Sequence, residues 1–216
     1  TETLAETGAE ILLVPNGSPY YRNKYDHRVS LMVSRVIETK LALVYLNMVG
    51  AQDDQIFDGA SFVLNPGIEL AVQMPAFDQC IRHVDFESGP QGWRAVRTEL
   101  VPLPDEWEQD YRAMVEALKD YVGKSGISKV LLGLSGGIDS ALVAAVATDA
   151  LGPGNVRCVM LPSEYTSAHS LEDAAAVAKA LGCRLDSVPI EGPRDAVEAA
   201  LGPLFAETKP GVAEEN

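Results

Sequence analysis

The segment LLGLSGGIDS at residues 131–140 constrains the possible folds of this chain more than any other stretch. The apolar run over residues 129–134 predicts a buried strand, and residues 141–146 predict a helix. Gly136 and Gly137 lie between the two elements. Adjacent glycines at such a junction let backbone N–H groups come close to an anion at the positive end of the helix. The segment therefore predicts a strand–loop–helix unit that binds an anionic group.

The polar residues of this loop suit a nucleotide bound together with a metal ion. Ser135 and Ser140 add hydroxyl donors, and Asp139 adds a hard oxygen ligand of the kind that Mg²⁺ prefers. The loop lacks the lysine and the spacing of G-x-x-x-x-G-K-[ST], which excludes a Walker A element. It resembles the SGGxDS pyrophosphate loop of the ATP pyrophosphatases, which cleave ATP between the α and β phosphates and adenylate a substrate. The competing interpretation is an ordinary glycine-rich turn between a strand and a helix.

Length and composition are those of a globular protein. The 216 residues are enough for one large or two small domains, and 47% hydrophobic with 22% charged residues is ordinary for this class. The net charge is −14, and neither half of the chain offers a basic stripe that would neutralise phosphates. The apolar runs are too short to span a bilayer. We therefore expect neither a nucleic-acid partner nor a membrane partner.

The cysteines bear on the location of the protein and on its chemistry. Cys80, Cys158 and Cys183 are widely spaced and odd in number, which favours reduced thiols over a disulfide framework or a zinc site. We therefore expect a cytoplasmic protein. Cys80 lies in a run that predicts an alternating strand and has no base beside it, so we expect a buried structural thiol there and not a nucleophile.

Residues 9–86 are rich in predicted strands, which glycine-containing turns separate. One predicted helix, over 25–39, lies among them. The predicted strands cover residues 10–14, 41–47, 61–64, 69–73 and 80–86. Residues 87–104 contain several glycines and prolines, and they predict a linker that contributes to neither core.

After residue 104 the pattern changes to a regular alternation of helices and strands. Apolar residues at helical spacing predict a helix over 107–122. Strands are predicted at 129–134, 157–161 and 184–189, each followed by a helix. Ser170 and Asp173 form a capping-box-like pair that predicts the start of one of these helices. The alternation is typical of a doubly wound parallel sheet, and with only three strands we expect the second domain to be truncated.

Segments outside the loop extend the resemblance to one family. Downstream, LPSEYTS at 161–167 and GVAEEN at 211–216 are similar to segments of the NAD synthetases, although Ala213 stands where the family usually has threonine. Upstream, residues 8–19 and 47–59 resemble the second half of a nitrilase-type glutaminase. A glutaminase followed by a synthetase is the layout of the glutamine-dependent NAD synthetases. The chain resembles that family over nearly its whole length.

The resemblance implies a fold and a set of domain bounds. The fold class is α/β, with a partial nitrilase-like αββα sandwich followed by a partial doubly wound parallel sheet of the adenine nucleotide alpha hydrolase-like type. The C-terminal part of the glutaminase domain would occupy residues 1–86, and the linker residues 87–104. The N-terminal part of the synthetase domain would occupy residues 105–216.

The resemblance also implies an activity, the ATP-dependent amidation of deamido-NAD to NAD through an adenylate intermediate. Hydrolysis of glutamine would supply the ammonia. ATP and Mg²⁺ would be required, and deamido-NAD, glutamine and ammonia would be the small-molecule partners. Because ammonia has to pass between two domains, we expect a fixed interdomain contact and a homo-oligomer that helps to hold it.

Carried over by position, the resemblance assigns ATP binding to the loop and its flanks. The residues concerned are Gly133, Leu134, Ser135, Gly136, Gly137, Ile138, Asp139 and Ser140. Asp139 would coordinate Mg²⁺, and Asn216 would contact deamido-NAD.

In the glutaminase part, Ser18 and Lys24 match positions that bind glutamine, and Arg22 is a rival to Lys24. A hydroxyl group and a cation suit the head group of an amino acid. The cysteine, glutamate and lysine that hydrolyse glutamine in this family would lie upstream of Thr1, so we assign no catalytic residue to this chain.

Two other functions compete with this one. The chain could belong to a different amide ligase with a pyrophosphate loop, such as a GMP or asparagine synthetase, but those enzymes carry a different glutaminase fold. It could also be a non-catalytic nucleotide-binding fragment. A native polypeptide much larger than 23.1 kDa would favour the enzyme.

Overall fold

The computed structural model describes residues 2–98 and 100–204 and divides into two compact units, Thr1–Ile127 and Ser128–Asn216. The first unit is a mixed α/β assembly. Its elements in chain order are α1 (Glu2–Glu6), β1 (Ile11–Asn16), α2 (Lys24–Thr39), β2 (Ala42–Asn47), β3 (Val49–Gln52), β4 (Gln55–Asp58), β5 (Phe62–Asn65), β6 (Glu69–Gln73), β7 (Phe86–Gly89), β8 (Gly92–Ala95) and α3 (Glu106–Lys124).

A four-stranded sheet in the order β1-β2-β5-β6 forms the centre of the first unit. Strands β1 and β2 are parallel, and the other two pairings are antiparallel. Helix α2 buries Arg28, Met32 and Val36, which are spaced four residues apart and therefore lie on one face. Met32 and Val36 pack in one cluster with sheet residues that include Tyr45 and Phe62. The apolar stripe of α2 thus covers one face of the sheet.

The hairpin of β7 and β8 packs against the opposite face. Phe62 belongs to the cluster beneath α2, whereas its neighbour Val63 packs with Ala95 of β8, as alternation along a strand requires. Asn65 accepts a hydrogen bond from the backbone N–H of Ala95 at 2.7 Å and donates one to its carbonyl at 2.9 Å. The prediction that residues 87–104 contribute to neither core is wrong here, because Ala95 is buried.

The prediction of a strand over residues 80–86 is also wrong. The strand begins only at Phe86, and Cys80 is exposed instead of being a buried structural thiol. An alternating pattern specifies a strand only where a neighbouring strand accepts its hydrogen bonds, and in the described chain residues 79–84 pair with no strand. Val84 and Phe86 still contact the cluster around Ala95.

The second unit contains a parallel sheet, which confirms the α/β class predicted from the alternation. Its elements are β9 (Val130–Gly133), α4 (Ile138–Leu151), β10 (Val156–Met160), α5 (Ala168–Leu181), β11 (Arg184–Ser187) and α6 (Glu191–Leu201), with 3-10 turns at Pro153–Asn155 and Gly202–Leu204. The strand order is β11-β10-β9, and both pairings are parallel.

Helix α5 starts earlier than the sequence predicts. Its N-cap is Ser167, whose side chain accepts a hydrogen bond from the backbone N–H of Ser170. The prediction that Ser170 caps this helix is therefore wrong by one turn. Both serines suit a cap, and the geometry of the preceding turn, in which the Ser163 N–H donates to Thr166 Oγ1, decides between them.

Helix α3 belongs to the first compact unit. Lys124 donates to the carbonyl oxygen of Ala51 in β3 and pairs with Asp120 one turn earlier on the same helix. The compact units therefore divide after Ile127, whereas the domain bounds predicted from the sequence place the second domain from residue 105. The predicted bounds concern family segments and stay a prediction.

None of the helices in residues 2–98 and 100–204 combines the length and the apolar character that crossing a membrane requires.

We expect Asn65→Ala to destabilise the first unit by about 2–4 kcal/mol, because the variant loses two hydrogen bonds and leaves the buried N–H and C=O of Ala95 unpaired. Urea unfolding of the 216-residue chain followed by tryptophan fluorescence measures this, since both tryptophans, Trp93 and Trp107, lie in the first unit. The control is Gln91→Ala in the exposed turn of the same hairpin. Equal midpoints for the two variants would contradict the expectation.

Candidate functional site

The loop SGGIDS lies at the carboxyl end of β9, where it leads directly into helix α4. Leu134, the residue after the strand, is buried and donates its backbone N–H to the Val159 carbonyl of β10 at 2.9 Å. Gly137 is the N-cap of α4 and provides no side-chain cap. The first backbone N–H groups of the helix can therefore donate hydrogen bonds to an anion. They lie at the carboxyl edge of the parallel sheet, where α/β proteins bind ligands.

Two serines close the loop on itself. Ser140 Oγ accepts from the backbone N–H of Ser135 at 3.2 Å and donates to the Gly137 carbonyl at 3.0 Å. The hydroxyl oxygens of Ser135 and Ser140 are 3.0 Å apart. Asp139 is exposed in the first turn of α4. The loop is therefore held in one shape by its own side chains, and it places a carboxylate next to the start of the helix.

Only glycine fits at position 136. Its backbone has φ +84°, a left-handed conformation that L side chains rarely adopt. A Cβ at this position would lie 2.2 Å from the carbonyl oxygen of Ser170 in α5. The loop and the first turn of α5 can approach each other this closely because the side chain is absent.

A cavity of about 260 Å³ lies beside the loop at the carboxyl ends of β9 and β10. Its lining consists of Gly133, Leu134, Ser135, Val159, Met160, Leu161, Pro162, Thr166 and Leu171. Most of these side chains are apolar, and two hydroxyl groups are among them. Such a lining suits a flat apolar ring system with a few polar edges.

A second group of predicted site residues lies between β1 and α2 in the first unit. The backbone N–H of Ser18 donates to Asn47 Oδ1 at 2.8 Å, and the Ser18 carbonyl accepts from Asn47 Nδ2 at 3.2 Å. Arg28 of α2 donates to Ser18 Oγ at 3.1 Å and to the Ser18 carbonyl at 2.7 Å. Arg28 is itself bound by Asp58 through two hydrogen bonds of 2.8 and 2.7 Å. The backbone of Ser18 is thus held on both sides.

The structure separates the roles of the two candidate cations, Arg22 and Lys24. Arg22 Nε donates to Asp110 of α3 at 2.8 Å, a second nitrogen lies 2.9 Å from a Glu106 oxygen, and the guanidinium lies 4.8 Å from the centroid of the Trp107 ring. Lys24 Nζ lies 4.6 Å from the centroid of the Tyr21 ring. Within residues 2–98 and 100–204, Lys24 forms no ion pair with a carboxylate. Arg22 is therefore committed to α3, and Lys24 is the cation available to a ligand.

The contact with α3 is a coupled group of charges. The hydrogen bond to Asp110 raises the pKa of Arg22, and hydrogen bonds from Arg22 and Tyr20 lower the pKa of Asp110. Burial, followed by the hydrogen bond to Asp110, raises the pKa of the Tyr20 hydroxyl. At neutral pH Tyr20 is therefore a neutral donor to a charged Arg22–Asp110 pair.

Sequence reasoning missed three residues of this second site. Arg28, Asn47 and Asp58 are buried polar residues that hold Ser18, and no role was predicted for them. One signal was present in the sequence, because Arg28 is a charged residue on the same helical face as Met32 and Val36. Asn216, the residue predicted to contact deamido-NAD, lies outside the described residues.

Comparison with known proteins identifies the second part of the chain. Residues 110–216 match the family model described as NAD synthase. This part of the chain belongs to the NAD synthase family. The match includes the loop, the cavity beside it and the C-terminal segment GVAEEN.

Individual relatives of this chain extend the similarity beyond residues 110–216 to the rest of the sequence. The chain is 63% identical over 213 residues to the glutamine-dependent NAD(+) synthetase of Rhodobacter capsulatus, covering 99% of the chain and 39% of that protein. It is 46% identical over 222 residues to the enzyme of the same name from Xanthomonas campestris, covering 100% of the chain and 40% of that protein. The resemblance inferred from the motifs is confirmed. The chain spans about two fifths of the length of these relatives.

Solved structures agree with the fold class. A glutamine-dependent NAD⁺ synthetase from Acinetobacter baumannii in complex with ADP matches with a TM-score of 0.92 and 37% identity, covering 99% of the chain and 40% of that structure. A glutamine-dependent NAD(+) synthetase from Cytophaga hutchinsonii, with a TM-score of 0.71 and 18% identity, covers 94% of the chain and 40% of that structure and shares the fold. The prediction of a nitrilase-like part followed by a synthetase part is confirmed.

We expect Gly136→Ala to destabilise the second unit by at least about 2 kcal/mol, because it combines a strained positive φ with a clash against backbone. Thermal unfolding followed by circular dichroism, with hydrogen exchange to assign the loss to this unit, measures the effect. Gly154→Ala is the matched control, since a Cβ there meets no atom within 4 Å. A Gly136→Ala protein as stable as the control would contradict the packing described for the loop.

Proposed function

We propose that the full-length enzyme carrying this chain converts deamido-NAD to NAD, using ATP and ammonia released from glutamine. The observation that carries this proposal is the loop at the carboxyl end of β9 within a NAD synthase sequence, joined to a nitrilase-like first part. A carboxylate is a poor electrophile. Transfer of AMP to the nicotinate carboxylate makes a mixed anhydride, from which ammonia displaces AMP.

In this proposal residues 133–140 bind the phosphates of ATP. The start of α4, which has no side-chain cap, supports this role because its first backbone N–H groups can donate to an anion. The apolar cavity beside the loop suits the adenine ring. The structure of the relative from Acinetobacter baumannii contains ADP, which supports an adenine nucleotide as a ligand of this chain.

Asp139 would hold Mg²⁺ together with the phosphates. The described residues contain no cluster of three or more histidine, cysteine or carboxylate side chains placed to hold a metal. A single exposed carboxylate at the start of α4 fits an ion that takes most of its oxygen ligands from phosphates and water. When bound, Mg²⁺ would neutralise charge on the departing pyrophosphate.

The glutamine site would include Ser18 and Lys24. Ser18 is held by hydrogen bonds to Asn47 and Arg28. The Lys24 ammonium group contacts the ring and the hydroxyl of Tyr21 but pairs with no carboxylate among the described residues, which supports the assignment of Lys24 over Arg22. Asn216 stays a prediction for contact with deamido-NAD, and so do the upstream position of the catalytic cysteine, glutamate and lysine and the homo-oligomeric state. The three cysteines are all free of disulfides, which supports the proposed cytoplasmic location.

Analysis of the nucleotide products tests the reaction. The full-length enzyme supplied with deamido-NAD, ATP and glutamine should release AMP and pyrophosphate in equal amounts with NAD, as measured by chromatography. Release of ADP and phosphate would overturn the proposal, because cleavage would then lie between the β and γ phosphates. An absence of NAD formation would favour the non-catalytic nucleotide-binding function.

We expect Asp139→Asn to lower the rate of NAD formation at least about tenfold, the equivalent of roughly 1.4 kcal/mol in the barrier. The substitution keeps the side-chain volume and removes the charge that a magnesium ion needs. The control is Glu172→Gln, which neutralises an exposed carboxylate on α5 of the same unit. Equal rates in the two variants would show that Asp139 belongs only to a structural turn.

A further inference from the structure

The hydrogen-bonding groups of the Ser18 backbone are all used within the protein. Its N–H donates to Asn47 Oδ1, and its carbonyl oxygen accepts from Asn47 Nδ2 and from Arg28 Nη2. Asn47 is buried, and its own backbone N–H donates to Ser61 Oγ at 2.9 Å. The position of the Ser18 backbone is therefore set by β2 and α2, and a ligand can interact only with the Ser18 hydroxyl.

Arg28 determines which interaction that hydroxyl can make. The Arg28 Nε–H donates to Ser18 Oγ at 3.1 Å, so one acceptor position of the hydroxyl is filled. Within residues 2–98 and 100–204, no group accepts a hydrogen bond from the Ser18 hydroxyl. A serine hydroxyl carries one donor and two acceptor positions, and with an arginine donating to its oxygen the proton points away from the guanidinium. Ser18 is therefore oriented as a donor.

Asp58 holds Arg28 in the position that this requires. The two Arg28–Asp58 hydrogen bonds use Nη1 and Nη2, and both side chains are 3% exposed. The remaining nitrogen, Nε, faces Ser18. A lysine at position 28 could keep a charge near Asp58, but its single ammonium group could not supply a planar fork and a separate Nε–H at once.

We propose that Arg28 is a positioning residue that fixes the Ser18 hydroxyl as a hydrogen-bond donor to the carboxylate of glutamine. This inference rests on the proposed use of glutamine. Ser18 and the Lys24 ammonium group then both act as donors, and donors bind the carboxylate of an amino acid and not its ammonium group. The ammonium group of glutamine would bind to acceptors outside this pair. Ser18 and Lys24 therefore favour a substrate with a charged carboxylate over one with a neutral group at the same position.

Steady-state ammonia release by the full-length enzyme tests the proposal with two substrates. One is glutamine, and the other is glutamine α-amide, in which a neutral amide replaces the carboxylate. Ser18→Ala should raise KM for glutamine about ten- to a hundredfold, the cost of a hydrogen bond to a charged group. The kcat for either substrate and the KM for the α-amide should change by less than about threefold. A purely structural effect of the substitution would alter both substrates alike.

Arg28→Lys separates the positioning role from simple charge. This variant should raise KM for glutamine in the same selective way, and the double variant Ser18→Ala/Arg28→Lys should show no increase beyond that of Ser18→Ala alone. Arg35→Lys is the matched control, since Arg35 is a half-buried arginine of the same helix whose ion pair among the described residues is with Glu38. Its kinetics should equal those of the unmodified enzyme. Melting temperatures report the folding of every variant. If Arg28→Lys does not fold, Ser18→Ala still decides whether the Ser18 hydroxyl donates to the carboxylate of glutamine.

The outcomes separate this inference from the proposed function. If the unmodified enzyme uses glutamine and Ser18→Ala changes KM for glutamine and for the α-amide equally, or changes neither, the inference is overturned. The proposed function would then stay intact. Additive effects of Ser18→Ala and Arg28→Lys would overturn the role of Arg28. An unmodified enzyme that makes NAD from ammonium chloride but releases no ammonia from glutamine would overturn the proposed glutamine site, and with it the inference.

Discussion

The buried pair of Arg28 and Asp58 is the interaction on which the organisation of the first unit depends. Two charges removed from water are stable only if each finds its full set of partners, and breaking such a pair costs about 3–5 kcal/mol. Here the partners come from separate parts of the chain, because Arg28 lies on α2, Asp58 ends β4 and both contact the segment around Ser18 or Asn47. The pair thereby fixes the segment after β1 against the helix and the sheet. The loop after β1 is therefore fixed by hydrogen bonds to buried side chains, as residues of a core are.

The second unit achieves rigidity by a different means. Its loop is shaped by backbone geometry, with a glycine at the closest approach and two serines that complete the bonds of the turn. Charged residues take little part in that shape, since Asp139 is exposed. A site for a highly charged ligand gains from this arrangement, because N–H dipoles attract an anion without themselves requiring a counterion.

The two sites differ in how far the sequence predicts them. The SGGIDS loop is a local feature, and the glycines, the serines and the strand before them specify it within ten residues. The partners of Ser18 cannot be found in this way, because Arg28 and Asp58 are thirty residues apart in the chain and only the folded sheet brings them together. Cys80 illustrates the opposite error, in which a local alternation predicts a strand that no neighbouring strand completes. Local chemistry is readable from the sequence, whereas contacts across the sheet follow only from the fold.

Helix α3 separates the start of the family match from the boundary of compact structure. The NAD synthase family model begins at residue 110, inside α3, yet Asp110 binds Arg22 in the segment that carries Ser18 and Lys24. Glu106 and Trp107, which precede the matched residues, also contact Arg22. A cut at the start of the family match would therefore divide the helix and remove Asp110 from Arg22, so the first unit keeps this contact only if it extends to Ile127.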